Sequence, residues 1–491
     1  MTACKKKILK DASFYSAATV LTQLIGIVSA ILMRRFLGPV QVGIWALVQM
    51  VLTYAEYSNL GVSSGITREI PFYRGKGDAV KVESLKNTAF YFSVFTSLVA
   101  SAAIFAYAIL SRSALQPDLF WGLVICSGLV ILQRLNGLLI STVRAFKQFT
   151  LASRQMIWSA VVNSVLVAVL SYQFQLYGFM MAMALSFLFN IIYIFWGSHL
   201  KFRFSMDGAE IRGLVACGFP LLLLAFLGTL FETIDKIMIT KFLGIERLGL
   251  YSVALMTTSY LYSLPNAVGI VMIPNIHEKY GQTENKNDLR GFAEKSDEVF
   301  SAIMPVFIGI AWFIIPTAIK ILLPKFTGGI LALQYLSLSV YFLAVSQAYS
   351  QSLYVFRQHY WFFPIFAVSA ALAWRLNMYY INAGRDIEGV AIATTLAMAA
   401  HFHIIYFAAA SQLRPKIEVL GGYLKMMGRF LFMLVTLTAL QTFVTLPNNI
   451  LTGLARTALL LAVYAFPLWR LEKKFNFLNI IFKKRTVEEQ S

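Results

Sequence analysis

Residues 35–45 begin Arg35-Phe36-Leu37-Gly38 and end Gly43-Ile44-Trp45; residues 241–251 begin Lys241-Phe242-Leu243-Gly244 and end Gly249-Leu250-Tyr251. One offset, 206 positions from Arg35 to Lys241, brings the basic residue, both glycines and the aromatic into register, and it also aligns Gly75 with Gly281. A single Phe-Leu-Gly match is weak. Five aligned features make an internal repeat. Each copy follows a long apolar run, and six such runs fit between equivalent points. An even number of crossings restores the starting side, so the pattern predicts two parallel repeats related by an axis along the membrane normal.

That the apolar runs are membrane spans follows from composition. Of 491 residues, 58% are hydrophobic and 13% are charged, with a mean hydropathy of +0.68. Soluble domains carry about 25% charged residues, so this chain lacks the polar shell a globule of its size requires. A soluble enzyme, a coiled coil, a repeat solenoid and a disordered chain are excluded. The expected class is an all-α polytopic membrane protein. One helix crosses about 30 Å of hydrocarbon with about 20 residues, which divides the chain into about fourteen spans. They include 13–33, 42–66, 156–172, 177–196, 330–356 and 388–409. Residues 1–200 and 201–412 form the six-helix lobes, and 413–491 supply two extra helices and a basic tail. The apolar run after Lys5, Lys6, Lys7 and Lys10 continues past signal-peptide length and reads as a retained helix.

Charge asymmetry sets the orientation. The chain has 42 Lys and Arg against 23 acidic residues, a formal charge of +19. With the amino terminus in the cytoplasm, about 30 of the basic residues fall on the inner side and about 9 outside. Both termini are then cytoplasmic. The surplus needs no nucleic-acid partner to explain it. The longest inner connection, 274–298, alternates in sign and is expected to form a solvated surface helix. Cys4, Cys126 and Cys217 show no paired spacing, and no cofactor or metal motif is found. His401 and His403, two apart on one helix, point to different faces and suit helix contacts rather than a shared metal.

Several segments resemble a known family. Residues 60–69, from Leu60-Gly61 to Arg68-Glu69, are similar to the end of the second helix in polysaccharide and O-antigen flippases, as is the Phe36-Leu37-Gly38…Gly43 turn before them. Asp235-Lys236-Ile237-Met238…Phe242-Leu243-Gly244…Gly249-Leu250-Tyr251-Ser252 resembles the second-half signature, and Gly389-Val390-Ala391-Ile392-Ala393-Thr394 the start of the twelfth helix. The family lies in the multidrug/oligosaccharidyl-lipid/polysaccharide (MOP) exporter superfamily, and the resemblance spans about Ser13 to Ala409. It implies a MATE-like fold in the bacterial cytoplasmic membrane. It also implies an undecaprenyl-diphosphate-linked oligosaccharide as cargo, moved outward by alternating access, with membrane lipid around it and glycan polymerase and assembly proteins as partners.

A charge inside a membrane helix costs about 2.5 kcal/mol or more, so each demands a reason. A diphosphate calls for arginine, whose planar fork matches phosphate oxygens. Arg35, Arg134 and Arg375 are the candidate cargo contacts, with nearby Tyr and Asn suited to sugars. Each has a plainer reading, since Arg134 and Arg375 lie near helix ends and Arg35 caps one. Glu56 is a candidate for binding a coupling proton or cation, or for a helix–helix hydrogen bond. Glu232 and Lys236 have the spacing of a structural ion pair, and Asp235 suits a lobe-interface role. Pro220, Pro305, Pro316 and Pro364 lie in or at the start of helices and permit bending.

Competing functions fit less well. A cation-coupled drug exporter of the same fold would favour an acidic cavity, whereas the deep candidates here are arginines. A glycan polymerase, ligase or transferase needs catalytic groups on a sizeable outer loop, and the outer loops are short. An acyltransferase would depend on His401 or His403, and a structural scaffold would not place polar residues in so many helices.

Overall fold

A computed structural model describes residues 3–475 except 284, 285, 357 and 448. The basic tail beyond Phe475 lies outside the described residues. Among those described there are helices and no strands. In chain order the helices are α1 (Ala3–Ala55), α2 (Val62–Gly75), α3 (Ala79–Leu110), α4 (Pro117–Ala145), α5 (Phe149–Ser198), α6 (Gly208–Met238) and α7 (Ile245–Thr283). They continue with α8 (Lys286–Leu322), α9 (Ile330–Ser337), α10 (Ser339–Val355), α11 (Phe362–Asn382), α12 (Ile387–Leu413), α13 (Lys416–Phe443) and α14 (Asn449–Phe475).

Ten helical runs among the described residues are long and apolar enough to cross a membrane. The protein is therefore a multi-pass membrane protein. The number is lower than the expected fourteen: Leu21–Asn59 and Phe149–Ser198 each take in two expected spans joined without a loop, and the spans expected within α7 and α11 are not among the ten. The run Phe149–Ser198 holds 50 residues, about 75 Å at 1.5 Å per residue, against about 30 Å of hydrocarbon. What the sequence marked as a loop at 173–177 is a single break at Gln175 (φ 50°, ψ −125°) inside α5. In α1 the break is at Gly38 (φ 73°, ψ 174°). Pro39 follows it, and proline excludes the helical conformation from its predecessor, so Gly38 leaves the helix where a larger residue would be strained. Exposed apolar side chains such as Phe95 (55%), Val99 (54%) and Val435 (64%) show the outward surface expected in lipid.

Other expected spans are broken rather than joined. The run 42–66 is interrupted by a 3₁₀ turn at Glu56–Asn59, then Leu60 (φ 52°) and Gly61 (φ 87°), before α2 begins. Residues 330–356 divide into α9 and α10. The inner connection at 274–298 is not a separate surface helix, because its residues continue α7 and open α8.

Contacts divide the chain into two compact units: residues 1–233 with 244–249, and residues 234–243 with 250–491. In the first, α1, α3, α4 and α5 pack on one another and α2 packs on α3 and α4. Its inner core joins Val62, Ile66, Ile70, Leu85, Leu138 and Leu214. In the second, α8, α10 and α12 pack on one another and α14 on α8, with Tyr341, Tyr349, Phe402 and Tyr406 buried.

The first unit is knitted by glycines. A Cβ at Gly43 would collide with the carbonyl of Ile245, and one at Gly249 with the carbonyl of Pro39. A Cβ at Gly218 would strike the carbonyl of Gly61, and one at Gly61 the backbone of Gly218. Small residues permit such backbone contact between membrane helices. Gly61→Ala is expected to cost about 2 kcal/mol or more, from a positive φ and a backbone clash together. Gly128→Ala on α4, where a Cβ meets open space, serves as the control. Thermal unfolding of detergent-purified protein should show a lower midpoint for the first and none for the second.

Candidate functional site

The break after Glu56 creates the most polar feature of the first unit. A 3₁₀ turn inside an apolar layer leaves backbone groups that lipid cannot satisfy. Side chains supply the partners. Asn59 Oδ1 accepts the Gly61 N–H at 2.6 Å, and Asn59 Nδ2 donates to Ser63 Oγ at 3.3 Å. From α4, Arg134 Nη1 donates to the Glu56 carbonyl at 2.6 Å and to Glu56 Oε2 at 3.2 Å.

Arg134 is 4% exposed. Its Nε and Nη2 are buried and make no hydrogen bond among the described residues, as is true of Asn136 Oδ1. Buried donors on a charged group are costly to leave unpaired, at about 1–3 kcal/mol or more. A cavity of about 320 Å³ adjoins the break, lined by Glu56, Tyr57, Asn59, Gln133 and Ser64 with apolar Leu221 and Leu222. Two tyrosines bridge to α6: Tyr54 to Thr233 Oγ1 at 2.5 Å, and Tyr57 to Thr229 Oγ1 at 2.5 Å and to the Ala225 carbonyl at 3.1 Å. Phe226 meets both rings edge-on. The cavity wall therefore offers the carboxylate of Glu56, the carboxamides of Asn59 and Gln133 and the ring of Tyr57, with Arg134 held by Glu56. Such groups are chemically suited to hydrogen-bonding a polar ligand.

The remaining predicted residues are dispersed. In the first unit Arg35 and Glu232 are exposed, and in the second Arg375 is exposed on α11. Neither Arg35 nor Arg375 makes an ion pair or hydrogen bond among the described residues. Asp235 is buried in the second unit, where its Oδ2 accepts from Tyr251 at 3.0 Å and its Oδ1 from the Lys236 N–H at 2.7 Å. Lys236 itself is half-buried. His401 meets Ser369 at 3.0 Å and stacks on Phe366, while His403 Nε2 meets Tyr423 at 2.7 Å. The two histidines thus make separate helix contacts, as their spacing implied. Among the described residues no cluster of acidic, histidine or cysteine side chains has metal-site geometry.

Sequence reasoning missed a buried charge network in the second unit. Asp297 on α8 is 7% exposed and accepts a hydrogen bond from Tyr349. Arg414, at the end of α12, reaches Asp297 at 3.7 Å, Glu294 at 3.4 Å and Tyr349 at 3.2 Å. Arg290 extends the chain of pairs to Glu294 at 2.8 Å and to Glu418 at 2.6 Å. The signal lay in the spacing. Glu294, Asp297 and Glu298 recur at helical intervals directly before the apolar run, which puts them on one face of α8 rather than in solvent.

Comparison with known proteins agrees on the fold. Residues 8–278 match the family described as polysaccharide biosynthesis protein, more than half of the 491 residues. No curated protein matches the sequence. Among solved structures, the lipid II flippase MurJ in an inward closed conformation aligns with a TM-score of 0.67 at 15% identity, covering 93% of this chain and 98% of MurJ. An inward-facing multidrug resistance MATE family transporter of the MOP superfamily aligns at 0.62 and 14% identity, covering 85% and 95%. A MOP superfamily transporter from Pyrococcus furiosus, noted for reversed polarity of its binding pocket, gives 0.61 and 13%, covering 83% and 96%. At these identities the likeness is one of fold.

The charge network yields a test of its own. Removing one member of a buried pair strands the other, so Asp297→Asn is expected to destabilise by about 3 kcal/mol. Arg290→Gln breaks a more exposed pair and is expected to lower the unfolding midpoint far less. Combining Asp297→Asn with Arg414→Gln should cost less than the two singly, which a double-mutant cycle of thermal unfolding would detect.

Proposed function

The chain belongs to the polysaccharide biosynthesis protein family, and from that premise we propose that it is a non-enzymatic flippase. Its cargo in this reading is an undecaprenyl-diphosphate-linked oligosaccharide bound for cell-surface polysaccharide such as lipopolysaccharide O-antigen. The protein sits in the bacterial cytoplasmic membrane with both termini in the cytoplasm, and moves the head group outward by alternating access.

The observation that carries this reading is Arg134. It is buried, it holds the carbonyl of a broken helix with one nitrogen, and its two other donor nitrogens have no partner among the described residues. Its carboxylate partner Glu56 lines a cavity of about 320 Å³ together with Gln133, Tyr57 and Asn59. A diphosphate supplies what those donors lack, in the bidentate geometry arginine favours. Glu56 balances the arginine at 3.2 Å when no anion is present. An arriving phosphate competes with that carboxylate for the same guanidinium, and so Glu56 provides the release step as well as the resting partner. Arg35 and Arg375, exposed in their own units, are assigned as further contacts for the phosphates. Asp235 and Lys236 are assigned to coupling or to the lobe interface, with Glu232 alongside.

In cells lacking the gene, lipid-linked oligosaccharide is expected to accumulate on the inner side while surface glycan disappears. Complementation with Arg134→Ala should restore less than about a tenth of surface glycan, and Arg134→Lys an intermediate amount, because lysine keeps the charge without the fork. Membrane abundance of each variant should be measured alongside. Unchanged surface glycan in the null strain, together with new sensitivity to cationic drugs, would replace this reading with a drug exporter.

A further inference from the structure

A second polar cavity lies wholly within the second unit, among α8, α13 and α14, and it has about 660 Å³ of space. Five basic side chains line it, Lys425, Arg429, Arg470, Lys473 and Lys474, against one acidic side chain, Glu298. Lys474 pairs with Glu298 at 2.5 Å. Arg429 is held by neutral oxygens, the Ser301 hydroxyl and the Glu298 carbonyl at 3.3 Å. Lys473 rests over the Trp469 ring at 5.5 Å, and no acidic partner meets Lys425 or Arg470 among the described residues. Among the described residues the lining thus carries five basic side chains against one acidic one, of which Lys425, Arg429 and Lys474 also face Glu294 and Asp297 in an adjoining cavity while Arg470 and Lys473 do not.

A basic end of a membrane helix is ordinary, because lysine and arginine gather at the inner face. Three observations go further here. The charges converge on a cavity rather than spread along a loop. Tyr464 lines that cavity at 3% exposure, and its hydroxyl has no hydrogen-bond partner among the described residues. Beside the charges the wall is apolar, with Phe432, Phe466, Pro467 and Leu471, and Phe466 is 63% exposed on the outward face of α14.

We propose that this cavity binds the phosphate head group of an anionic membrane phospholipid. Lys425, Arg470 and Lys473 surround the phosphate, Tyr464 donates to it from the closed end, and the acyl chains leave along Phe466 toward lipid. Basic pockets between helices near the inner surface recognise anionic head groups in this way. A soluble anion would use the charges but not the apolar wall. The proposal stands on these residues alone and is independent of the cargo assigned above.

The test uses the full-length protein in detergent, with native mass spectrometry and titrated lipids. Wild type is expected to retain one phosphatidylglycerol under washing that removes phosphatidylcholine. The Lys425→Gln/Arg470→Gln double variant should weaken that retention about tenfold or more, and Tyr464→Phe, which deletes only a hydroxyl, should weaken it severalfold without altering thermal unfolding. Equal retention of the two lipids by wild type, or undiminished retention by the double variant and Tyr464→Phe, would overturn the proposal. So would displacement of the lipid by inorganic phosphate at equal concentration, which would mark a soluble-anion site instead.

Discussion

A helix cannot stop inside hydrocarbon unless something else takes its hydrogen bonds. At Glu56 that something is Arg134, whose guanidinium binds the freed carbonyl at 2.6 Å. The break and the arginine require each other. Without the break, a buried arginine on α4 would face an apolar wall; without the arginine, the 3₁₀ turn would leave its carbonyl bare. Because a guanidinium has more donors than one carbonyl can use, satisfying the backbone leaves buried N–H groups to spare, behind a Glu56 that itself lines a cavity.

The same economy governs the repeat motif. Gly38 and Gly244 both take positive φ, 73° and 98°, so each copy of Phe-Leu-Gly puts its glycine where a larger residue would be strained. The second glycines then permit contact between the copies: Gly43 meets Ile245, and Gly249 meets Pro39. Those partners are themselves equivalent under the 206-residue offset, so one contact is the mirror in sequence of the other. The aligned glycines of the sequence are thus backbone contacts, and any side chain at Gly43 or Gly249 would force the two segments apart.

This explains what was legible in the sequence. Features with a strong free-energy signature could be read: the apolar runs, the glycine pairs, and Arg134 and Asp235 as charges buried in helices. Features that depend on exact helix ends could not. The run 42–66 is equally apolar on either side of its break, and the only mark of it is Asn59-Leu60-Gly61, a short stretch compatible with helix or turn. Gln175 joins two crossings that a loop would have joined as well. Asp297 was hidden by its neighbours, since the charged stretch before it suggested water whereas helix α8 carries it inward to Tyr349 and Arg414. Arg375 is the converse case: it stands out in an apolar sequence, yet it is exposed, where its stem can reach a polar layer.

The formal charge of +19 therefore divides by physical task rather than by position alone. Basic residues on loops are expected to set the orientation, which needs only their number. Arg414 and part of Arg134 are consumed internally by Asp297 and by the Glu56 carbonyl, each holding two or more oxygens at once. The charges around Tyr464 belong to neither group, being numerous and converging on the cavity they line, five basic side chains against one acidic one. Orientation does not require convergence, and backbone repair does not require surplus. A site with both properties suits an anion, and the apolar wall beside it suits one carrying a lipid tail.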